Sequence, residues 1–324
     1  MRRVAAAVAV AAGSLLAAGL AHAGVSAAAA VDDPLFSQQW GLTATNAPAA
    51  WRLTTGSAPV VVAVVDTGVD ASHPDLAGRI LPGWNAIDGS TNTGDDNGHG
   101  TEVAGIIAAA SDNGTGVASY CWRCRILPVK VLGPHGDGST QDVARGIRWA
   151  ADHGARVINV SLGTFADDTS LQDAVAYARS RNAVVVAAAG NAPGLHAYPA
   201  GDTGALAVAG SDANGQLYPW SNSGSWIQLA APGSNLTTSP NDSYADFVGT
   251  SAAAPVVSGI AALLLSADPQ ANADAIIAAL EQTAHPTQGV SFGVVDAAAA
   301  LQTVLGASRH RTAATVTARS LSAS

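Results

Sequence analysis

Hydrophobic residues along the chain fall into short apolar runs that alternate with segments of helical periodicity. Runs rich in Val, Ile and Ala predict five buried strands, at residues 60–65, 126–132, 156–162, 183–189 and 205–209. Residues 140–153 and 170–181 instead carry apolar side chains at helical spacing. Alternating strands and helices build parallel sheets with both faces covered. We therefore predict an α/β fold, doubly wound, in which helices cover both faces of a mostly parallel central sheet.

Polar and glycine residues mark the boundaries of these elements. Gly154 follows the first predicted helix, where a left-handed residue closes the last turn. Ser170 and Asp173 have the spacing of a capping box at the start of the second helix, with Asp in place of the usual Glu. We expect one domain over residues 33–305, followed by a flexible tail over residues 306–324, which are rich in Ala, Ser, Thr and Arg.

The first 23 residues have the order of a secretory signal peptide. Two arginines precede an apolar run, and Ala21-His22-Ala23 forms a cleavage site. A membrane anchor is the alternative, but Gly and Ser interrupt the run, and we expect no later segment to span a bilayer. The sequence therefore predicts a secreted protein, in which residues 24–32 form only a short segment before the domain.

Charge and cysteine content narrow the classes of function. The chain has 15 basic and 24 acidic residues, and its formal net charge of −9 argues against nucleic-acid binding, which needs a basic surface. Cys121 and Cys124 are the two cysteines, and two thiols cannot complete a tetrahedral zinc site. In an exported protein they predict a local disulfide. A redox motif is disfavoured, because such motifs open a helix whereas this pair precedes a predicted strand.

Three reactive side chains lie at the ends of predicted elements. Asp66 ends the first strand, His99 lies between two glycines at a helix start, and Ser251 follows Gly-Thr at the start of an apolar helix. A serine hydroxyl is a weak nucleophile and needs a base that a third group orients. A buried Asp can hold one imidazole nitrogen while the other nitrogen deprotonates the serine. The chain order of these three residues belongs to one of the known convergent triads.

The motifs around these residues resemble those of the subtilisin family of serine endopeptidases, in particular its thermitase-like members. They are Asp-Thr-Gly, Gly-His-Gly-Thr-x-Val-Ala-Gly and Gly-Thr-Ser-x-Ala-x-Pro, and the similarity extends over nearly the whole chain after the signal. The resemblance implies that Asp66 orients His99, that His99 is general base and then acid, and that Ser251 attacks the scissile carbonyl. It also implies that Asn191 donates to the oxyanion, beside the backbone N–H of Ser251.

The same resemblance implies a surface on which an extended polypeptide substrate is added as a strand. The positions that match the family's substrate-binding segments and primary specificity pocket are Leu132, Gly133, Ser161, Leu162, Gly163, Ala188, Ala189, Gly190 and Ala197. None of them is acidic, so cleavage after paired basic residues is disfavoured. We expect broad specificity with a preference for large apolar side chains.

A structural calcium site is a further implication of the resemblance. Its ligands would be side-chain and backbone oxygens, which suit this hard cation. The matching positions are Asp33, Asp75, Ala110, Asn113, Thr115 and Val117, of which Ala110, Thr115 and Val117 would contribute backbone oxygens. A solvated surface turn at residues 112–114 is the alternative. A second thermitase-like site would use residues 85–92, but several of its carboxylates are missing.

The chain departs from the family pattern at three places. Glu102 stands where the family usually has a second histidine, one helical turn after His99. Ala252 replaces the usual methionine after the serine, which predicts slow inactivation by peroxide. Residues 24–32 stand where many secreted relatives carry a long pro-domain, so folding either needs no such helper or receives it in trans.

Two other interpretations use some of the same residues. Asp-Thr-Gly occurs at Asp66 and again at Asp202, as in pepsin-like aspartic proteases, but those enzymes are predominantly β. The His-Glu-x-x-His motif of common zinc proteases is absent. A catalytically silent, subtilase-like binding module remains the alternative, although all four catalytic positions are filled. The sequence thus predicts a secreted, monomeric serine endopeptidase that acts on polypeptides and contains structural calcium.

Overall fold

The computed structural model describes residues 31–322, and the surroundings of side chains up to Arg311. The predicted signal peptide, residues 1–23, lies outside the described residues, as does most of the short segment 24–32. Nearly all of the predicted domain, and the site residues within it, can therefore be located.

Helices and strands alternate through most of the described chain. The helices are α1 (Trp40–Ala44), α2 (Ala47–Trp51), α3 (His99–Ala108), α4 (Thr140–Asp152), α5 (Thr169–Ser180), α6 (Thr250–Ala267), α7 (Ala273–Gln282) and α8 (Ala297–Ser322). The strands are β1 (Val61–Asp66), β2 (Trp84–Asn85), β3 (Arg125–Lys130), β4 (Val157–Val160), β5 (Val184–Ala188), β6 (Ala205–Ser211), β7 (Leu229–Pro232), β8 (Ser234–Ser239), β9 (Ser243–Val248) and β10 (Gly293–Val294). The five predicted strands are β1, β3, β4, β5 and β6, with ends within two residues of the predicted ones.

Eight strands form one sheet in the order β10-β7-β6-β5-β4-β1-β3-β2, and every neighbouring pair is parallel. The other two strands, β8 and β9, form an antiparallel hairpin. The predicted α/β fold with a mostly parallel sheet is therefore confirmed. The strand order changes direction at β1, which lies between β4 and β3. Ligands of open α/β sheets bind beyond the carboxyl ends of the strands at such a point.

The sheet is buried on both faces, as its continuous apolar runs predict. In β1, Val62 and Val64 pack into the layer that contains α3 and α6, whereas Val61, Ala63 and Val65 face α4 and α5. Side chains of successive strand residues point to opposite faces, so one apolar run serves both layers. These two layers fix the positions of the strand ends and helix starts at which the reactive residues lie.

The central helix α6 is the one described helix that is long and apolar enough to cross a membrane by length and composition. The sequence led us to expect no such segment after the signal. However, 83% of α6 is buried inside the protein, and a core helix meets the same criterion. The apolar character of α6 is accounted for by its packing against the sheet and α3.

The two helix boundaries predicted from polar and glycine residues had different outcomes. Gly154 follows α4 with a φ of +83°, as a left-handed closing residue requires. The capping box at Ser170 and Asp173 is wrong. Asp168 caps α5 instead, because its carboxylate accepts the backbone N–H of Ser170 and the helix begins one residue earlier, at Thr169.

Helix α8 continues to Ser322, into the segment for which the sequence predicts a flexible tail. After Gly306 this segment contains neither proline nor glycine, and alanine and arginine are strong helix formers. Helix propensity explains why the backbone is regular here. Regular backbone does not measure mobility, so flexibility of residues 306–324 stays a prediction.

Candidate active site

Asp66, His99 and Ser251 lie at the ends of three core elements. Asp66 is the last residue of β1, His99 is the first residue of α3, and Ser251 is the second residue of α6. The two helices pack against each other and lie on the same face of the sheet. The fold therefore presents the carboxylate at a strand end and the other two side chains at helix N-termini.

A buried Asp66 is paired with a partly exposed His99. Asp66 is fully buried, and its Oδ1 lies 2.7 Å from Nδ1 of His99. The same oxygen accepts the backbone N–H of Thr67 at 2.8 Å. The other oxygen, Oδ2, is buried and has no hydrogen-bond partner within the described chain. Asp66 thus engages Nδ1 of His99, and Nε2 is the ring nitrogen that is not bonded to it.

The surroundings of His99 raise its pKa above the ordinary value. Burial alone would lower the pKa, because it penalises the charged imidazolium. The charge and the hydrogen bond of Asp66 oppose this effect, and the charges of Glu102 and Asp95 add to them. Phe247 meets the imidazole edge-on, with 5.0 Å between the ring centroids. Asp66 and Phe247 therefore fix the orientation of the imidazole of His99.

Ser251 is bonded to the end of β4. Its hydroxyl donates to the backbone oxygen of Ser161 at 2.9 Å, and the hydroxyl of Ser161 donates to the backbone oxygen of Ser251, also at 2.9 Å. No hydrogen bond joins Ser251 to His99 among residues 31–322. Catalytic hydrogen bonds are often loose without substrate and tighten when it binds.

Asn191 lies beside the N-terminus of α6. Its Oδ1 accepts both the backbone N–H and the hydroxyl of Thr250, each at 2.9 Å. The amide oxygen is therefore occupied, which leaves the Nδ2 donors free. Gly249 has a φ of +139°, and a Cβ at this position would lie 3.2 Å from Nδ2. Glycine thus keeps the space beside the amide open.

A cavity of about 410 Å³ opens beside Ser251 and Asn191. Its lining includes five residues predicted from the sequence, which are Leu162, Gly163, Ala188, Gly190 and Ala197. A neighbouring cavity of about 400 Å³ is lined in part by Leu132, Leu162 and Gly163. Ser161 lines a third cavity, of about 260 Å³, together with His99. Gly133 and Ala189 do not line these three cavities, and Ala189 is fully buried.

Phe165 lines the cavities but was not predicted from the sequence. It lies in the loop between β4 and α5, is 56% exposed, and lines both larger cavities. The only local signal is an aromatic residue in an otherwise polar loop, and such a signal is weak. Its importance becomes visible only when the loop is seen beside the two cavities.

The predicted calcium ligands are brought together around the loop after α3. Asp33 accepts the backbone N–H groups of Asp112 and Asn113, at 2.9 and 3.1 Å. Asp75 accepts the side-chain amide of Asn113 at 3.2 Å and the backbone N–H of Val117 at 2.9 Å. The backbone N–H of Thr115 reaches the side chain of Asn113, and that of Ala110 reaches the carbonyl of Asp75.

The charges at this loop suit a hard cation. Asp33 and Asp75 are both buried. Burial raises the pKa of Asp33, and the negative charges of Asp75 and Asp32 add to the shift although two backbone N–H groups oppose it. Oxygen donors and uncompensated carboxylates are what Ca²⁺ favours. Among residues 31–322, no group of three or more His, Cys, Asp or Glu side chains is arranged to hold a metal, either at this loop or elsewhere. A site at this loop would therefore also need amide and backbone oxygens.

The two cysteines lie in the apolar layer that contains α3 and α6, and they do not line the three cavities. Cys121 and Cys124 are fully buried, their sulfur atoms are paired, and their Cα atoms are 5.4 Å apart. This Cα separation is within the range of disulfide-bonded cysteines.

Comparisons with known proteins extend these observations. A family profile described as "Subtilase family" matches residues 57–307. Thermitase from Thermoactinomyces vulgaris is 45% identical over 261 residues, which cover 80% of this chain and 92% of thermitase. A thermophilic serine proteinase from Bacillus sp. (strain AK1) is 43% identical over 78% of this chain and 63% of its own length. Subtilisin Savinase from Lederbergia lenta is 41% identical over 72% of this chain and 86% of its own.

A solved structure has the same fold. It is described as proteases from Pseudoalteromonas arctica PAMC 21717, and it is 35% identical with a TM-score of 0.78. The match covers 85% of this chain and 99% of the solved one. The likeness in sequence and in structure therefore extends across the sheet, the helices and the cavity region.

Proposed function

The chain belongs to the subtilase family of serine proteases, and we propose that it is a secreted endopeptidase that uses Asp66, His99 and Ser251 as its catalytic triad. The observation that carries this proposal is the hydrogen bond of 2.7 Å between the buried carboxylate of Asp66 and His99, which begins the helix that packs against the helix of Ser251. A fully buried carboxylate on one imidazole nitrogen leaves the other nitrogen free to act as a base.

The reaction proceeds through an acyl-enzyme. Ser251 Oγ attacks the scissile carbonyl carbon while its proton passes to Nε2 of His99, and Asp66 stabilises the imidazolium. The C–N bond breaks as His99 returns this proton to the leaving amine. Water then attacks the ester, gives a proton to His99, and releases the carboxylic acid product as the proton returns to Ser251. No net proton or electron is gained by the enzyme.

The oxyanion of each tetrahedral intermediate is stabilised by Nδ2 of Asn191 and the backbone N–H of Ser251. The support for this role is that Thr250 occupies the amide oxygen and leaves the donor side free. A backbone N–H in the first turn of α6 has no intrahelical partner, and the dipole of the helix favours negative charge there. Donors held by the fold before the reaction begins are what electrostatic stabilisation requires.

The substrate is a polypeptide that lies extended along residues 132–133 and 161–163. The side chain before the cleaved bond enters the cavity of about 410 Å³ beside Ser251. No acidic residue lines this cavity, which disfavours basic side chains there. Apolar walls favour large apolar side chains, and their burial contributes about 1.5–3 kcal/mol for each such side chain.

The proposed calcium site, the disulfide and the signal peptide suit an enzyme that works outside the cell. Asp33, Asp75 and Asn113, with backbone oxygens of Ala110, Thr115 and Val117, would hold one structural calcium ion. Bound calcium would neutralise the two buried carboxylates and stabilise the loop after α3. Cys121 and Cys124 form a local disulfide, which suits a protein exported by the signal peptide of residues 1–23. The enzyme acts as a monomer.

Labelling by a serine-directed fluorophosphonate tests the proposal. The mature protein should be labelled at Ser251, with loss of peptidase activity in step with labelling. Ser251→Ala should be folded but unlabelled and inactive. Ser72→Ala, which changes an exposed serine, should behave as the wild type. A folded wild-type protein with neither label nor peptidase activity would instead be a catalytically silent binding module.

A further inference from the structure

Asp95 lies in the connection between β2 and α3, four residues before His99, and its carboxylate is saturated with hydrogen bonds. Oδ1 accepts the hydroxyl of Thr67 at 2.8 Å and the backbone N–H groups of Asn97 and Gly98 at 3.1 and 2.8 Å. Oδ2 accepts both the backbone N–H and the hydroxyl of Thr101, at 2.9 and 2.6 Å. One side chain therefore contacts the turn after β1, the turn before α3 and the first turn of α3.

The two threonines that Asp95 holds join the elements of the triad to each other. Thr67 follows Asp66 directly, and its hydroxyl also accepts the backbone N–H of Gly100 at 3.0 Å. Thr101 lies two residues after His99, and its hydroxyl accepts the backbone N–H of Asp70 at 2.9 Å. Both threonines are fully buried. Asp95 is thus the shared acceptor of a network that links the carboxyl end of β1 to the N-terminus of α3.

Asp95 also compensates for the lack of a side-chain cap on α3. The N-cap residue is Gly98, which has no side chain, so the free N–H of Thr101 in the first helical turn is satisfied by Asp95 instead. A carboxylate at a helix N-terminus is stabilised by the helix dipole. Since His99 is the first residue of this helix, the direction of its side chain depends on how the first turn is held.

The space between β1 and α3 leaves little freedom for another arrangement. A Cβ on Gly100 would lie 2.0 Å from the backbone oxygen of Gly68. Lys130 also holds the turn after β1, because its Nζ donates to the backbone oxygen of Thr67 at 2.5 Å. Small changes in the Asp95 network would therefore move the helix start relative to Asp66, whose own hydrogen bond to His99 has little slack at 2.7 Å.

We propose that Asp95 is a positioning residue of the triad, whose carboxylate sets the geometry of the Asp66–His99 pair through Thr67 and Thr101. The inference rests on the proposed function, because it assigns Asp95 a part in the reaction of that triad. Both the two carboxylate oxygens of Asp95 and its negative charge are needed for this role. The oxygens satisfy five donors on three segments, and the charge favours the imidazolium that forms at His99 during the reaction.

Two substitutions separate these two contributions. Asp95→Asn keeps the shape but loses the charge and one set of acceptor sites, whereas Asp95→Glu keeps the charge on a longer side chain. We expect both variants to lower kcat about tenfold or more with little change in KM, because the lost interactions act on the reacting groups and not on substrate binding. In Asp95→Asn alone, the acidic limb of the kcat/KM pH profile should shift to lower pH.

The shift in pH has a direct physical cause. The negative charge of Asp95 contributes to the raised pKa of His99, so its removal lowers that pKa and frees the base at lower pH. Asp212→Asn is the matched control. Like Asp95, Asp212 accepts backbone N–H groups in a turn, in its case those of Asn214 and Gln216. Its charge, however, is not among those that act on His99. This variant should keep the wild-type kcat and pH profile.

The proposal is wrong if folded Asp95→Asn retains both the kcat and the acidic limb of the wild type. Titration with the fluorophosphonate counts the folded, active molecules of the variant. The proposal is also wrong if these molecules turn over at the wild-type rate and the variant differs only in a lower melting temperature. If Asp95→Asn does not fold, Thr67→Val removes one contact of Asp95, and its kcat should fall while Thr67→Ser retains activity. Equal kcat in the two Thr67 variants would then contradict the proposal. Failure of wild-type labelling at Ser251 would refute the triad itself, independently of Asp95.

Discussion

The side-chain oxygen of Asn191 lies 2.9 Å from both the backbone nitrogen and the hydroxyl oxygen of Thr250. A backbone N–H can donate but cannot accept, so the atom of Asn191 that faces the N–H of Thr250 is the acceptor oxygen. The orientation of the amide is therefore determined by the residue that precedes Ser251. In consequence, the amide donors of Asn191 are fixed relative to the serine by one rigid helix start.

Asn191→Ala should slow turnover strongly and leave substrate binding nearly unchanged. The amide of Asn191 is proposed to donate to charge that exists only in the tetrahedral intermediates, so kcat should fall and KM should not. In subtilisin itself, loss of such a donor costs about 10²–10³-fold in kcat, and we take that magnitude as the expectation here. Steady-state kinetics on a chromogenic peptide measures both constants. A kcat within twofold of the wild type would exclude Asn191 from the oxyanion hole.

The pH dependence of activity should have an acidic limb above the ordinary pKa of histidine, which is 6.5. The base must be neutral to accept a proton, and the surroundings of His99 raise its pKa, so activity should appear only as pH rises through that raised value. Glu102 is one of the charges that raise it. Glu102→Gln should therefore move the limb of kcat/KM to lower pH.

Glu281→Gln provides the control for the pH experiment. Glu281 lies in α7, its own pKa is raised by burial as that of Glu102 is, and it is not among the charges that act on His99. Its substitution should leave the limb in place. A limb that stays unchanged in Glu102→Gln would show that this charge does not act on the catalytic base.

The positions of the reactive residues could be predicted from the sequence because each lies within a short motif at the end of an apolar strand or the start of an apolar helix. Asp66 ends a β-branched run, and Ser251 begins a long apolar helix, so tertiary packing was needed only to bring them together. Phe165 and Asp95 could not be predicted in this way. Each lies in a loop outside the periodic pattern. The contact that singles it out is distant in sequence, with Thr67 for Asp95 and with the cavity of Ser251 for Phe165. The start of α5 was missed for a local reason, because Asp168 provides a cap before Ser170.

Phe165→Ala should weaken the preference for large apolar side chains. Phe165 lines both the cavity beside Ser251 and its neighbour, so its removal joins the two and deprives a bound side chain of apolar contact. We expect kcat/KM for substrates with Phe or Leu before the cleaved bond to fall about tenfold, since burial of an aromatic contact contributes roughly 1–2 kcal/mol. Substrates with Ala at that position should be less affected, because a small side chain reaches Phe165 less.

A peptide library cleaved by both proteins measures this change. Phe292→Ala is a suitable control, because Phe292 is also exposed, at 40%, but does not line either cavity. An unchanged cleavage profile in Phe165→Ala would show that the loop after β4 does not contact substrate. A wild-type profile that favours Arg over Phe and Leu would contradict the apolar preference as a whole.

Removal of calcium should lower thermal stability before it lowers catalytic competence. The proposed ligands meet around the loop after α3 and do not line the cavities beside Ser251 and His99, so the metal would act on the folded state. With free calcium at a hundred times its Kd, binding to the native state contributes about 2.7 kcal/mol. Chelation should therefore lower the Tm, and added calcium should restore it. Asp75→Asn should abolish this response, whereas Asp212→Asn should retain it.

A calcium-independent Tm would favour the alternative, a solvated turn at residues 112–114. In that case the loop would be held by its hydrogen bonds alone, which include those from Asn113 and Val117 to Asp75 and those from Asp112 and Asn113 to Asp33. Equilibrium dialysis separates the two cases directly, with one ion per chain expected for the wild type and none for Asp75→Asn.

Activity should survive peroxide well, because the residue after the nucleophile carries no thioether. Met1 is the only methionine in the chain, and Ala252 is fully buried next to Ser251. The two cysteines are paired and buried, so the usual oxidisable sulfur groups near the site are absent from the described residues. Ala252→Met introduces a thioether there, and oxidation would convert it into a polar sulfoxide in an apolar site. The variant should lose activity at a peroxide dose that leaves the wild type active. Overpacking by the larger side chain separately costs about 1–3 kcal/mol of stability, so each protein is compared with its own untreated sample. Residual activity against time, with the sulfoxide located by peptide mapping, measures the difference, and rapid inactivation of the wild type at low dose would contradict it.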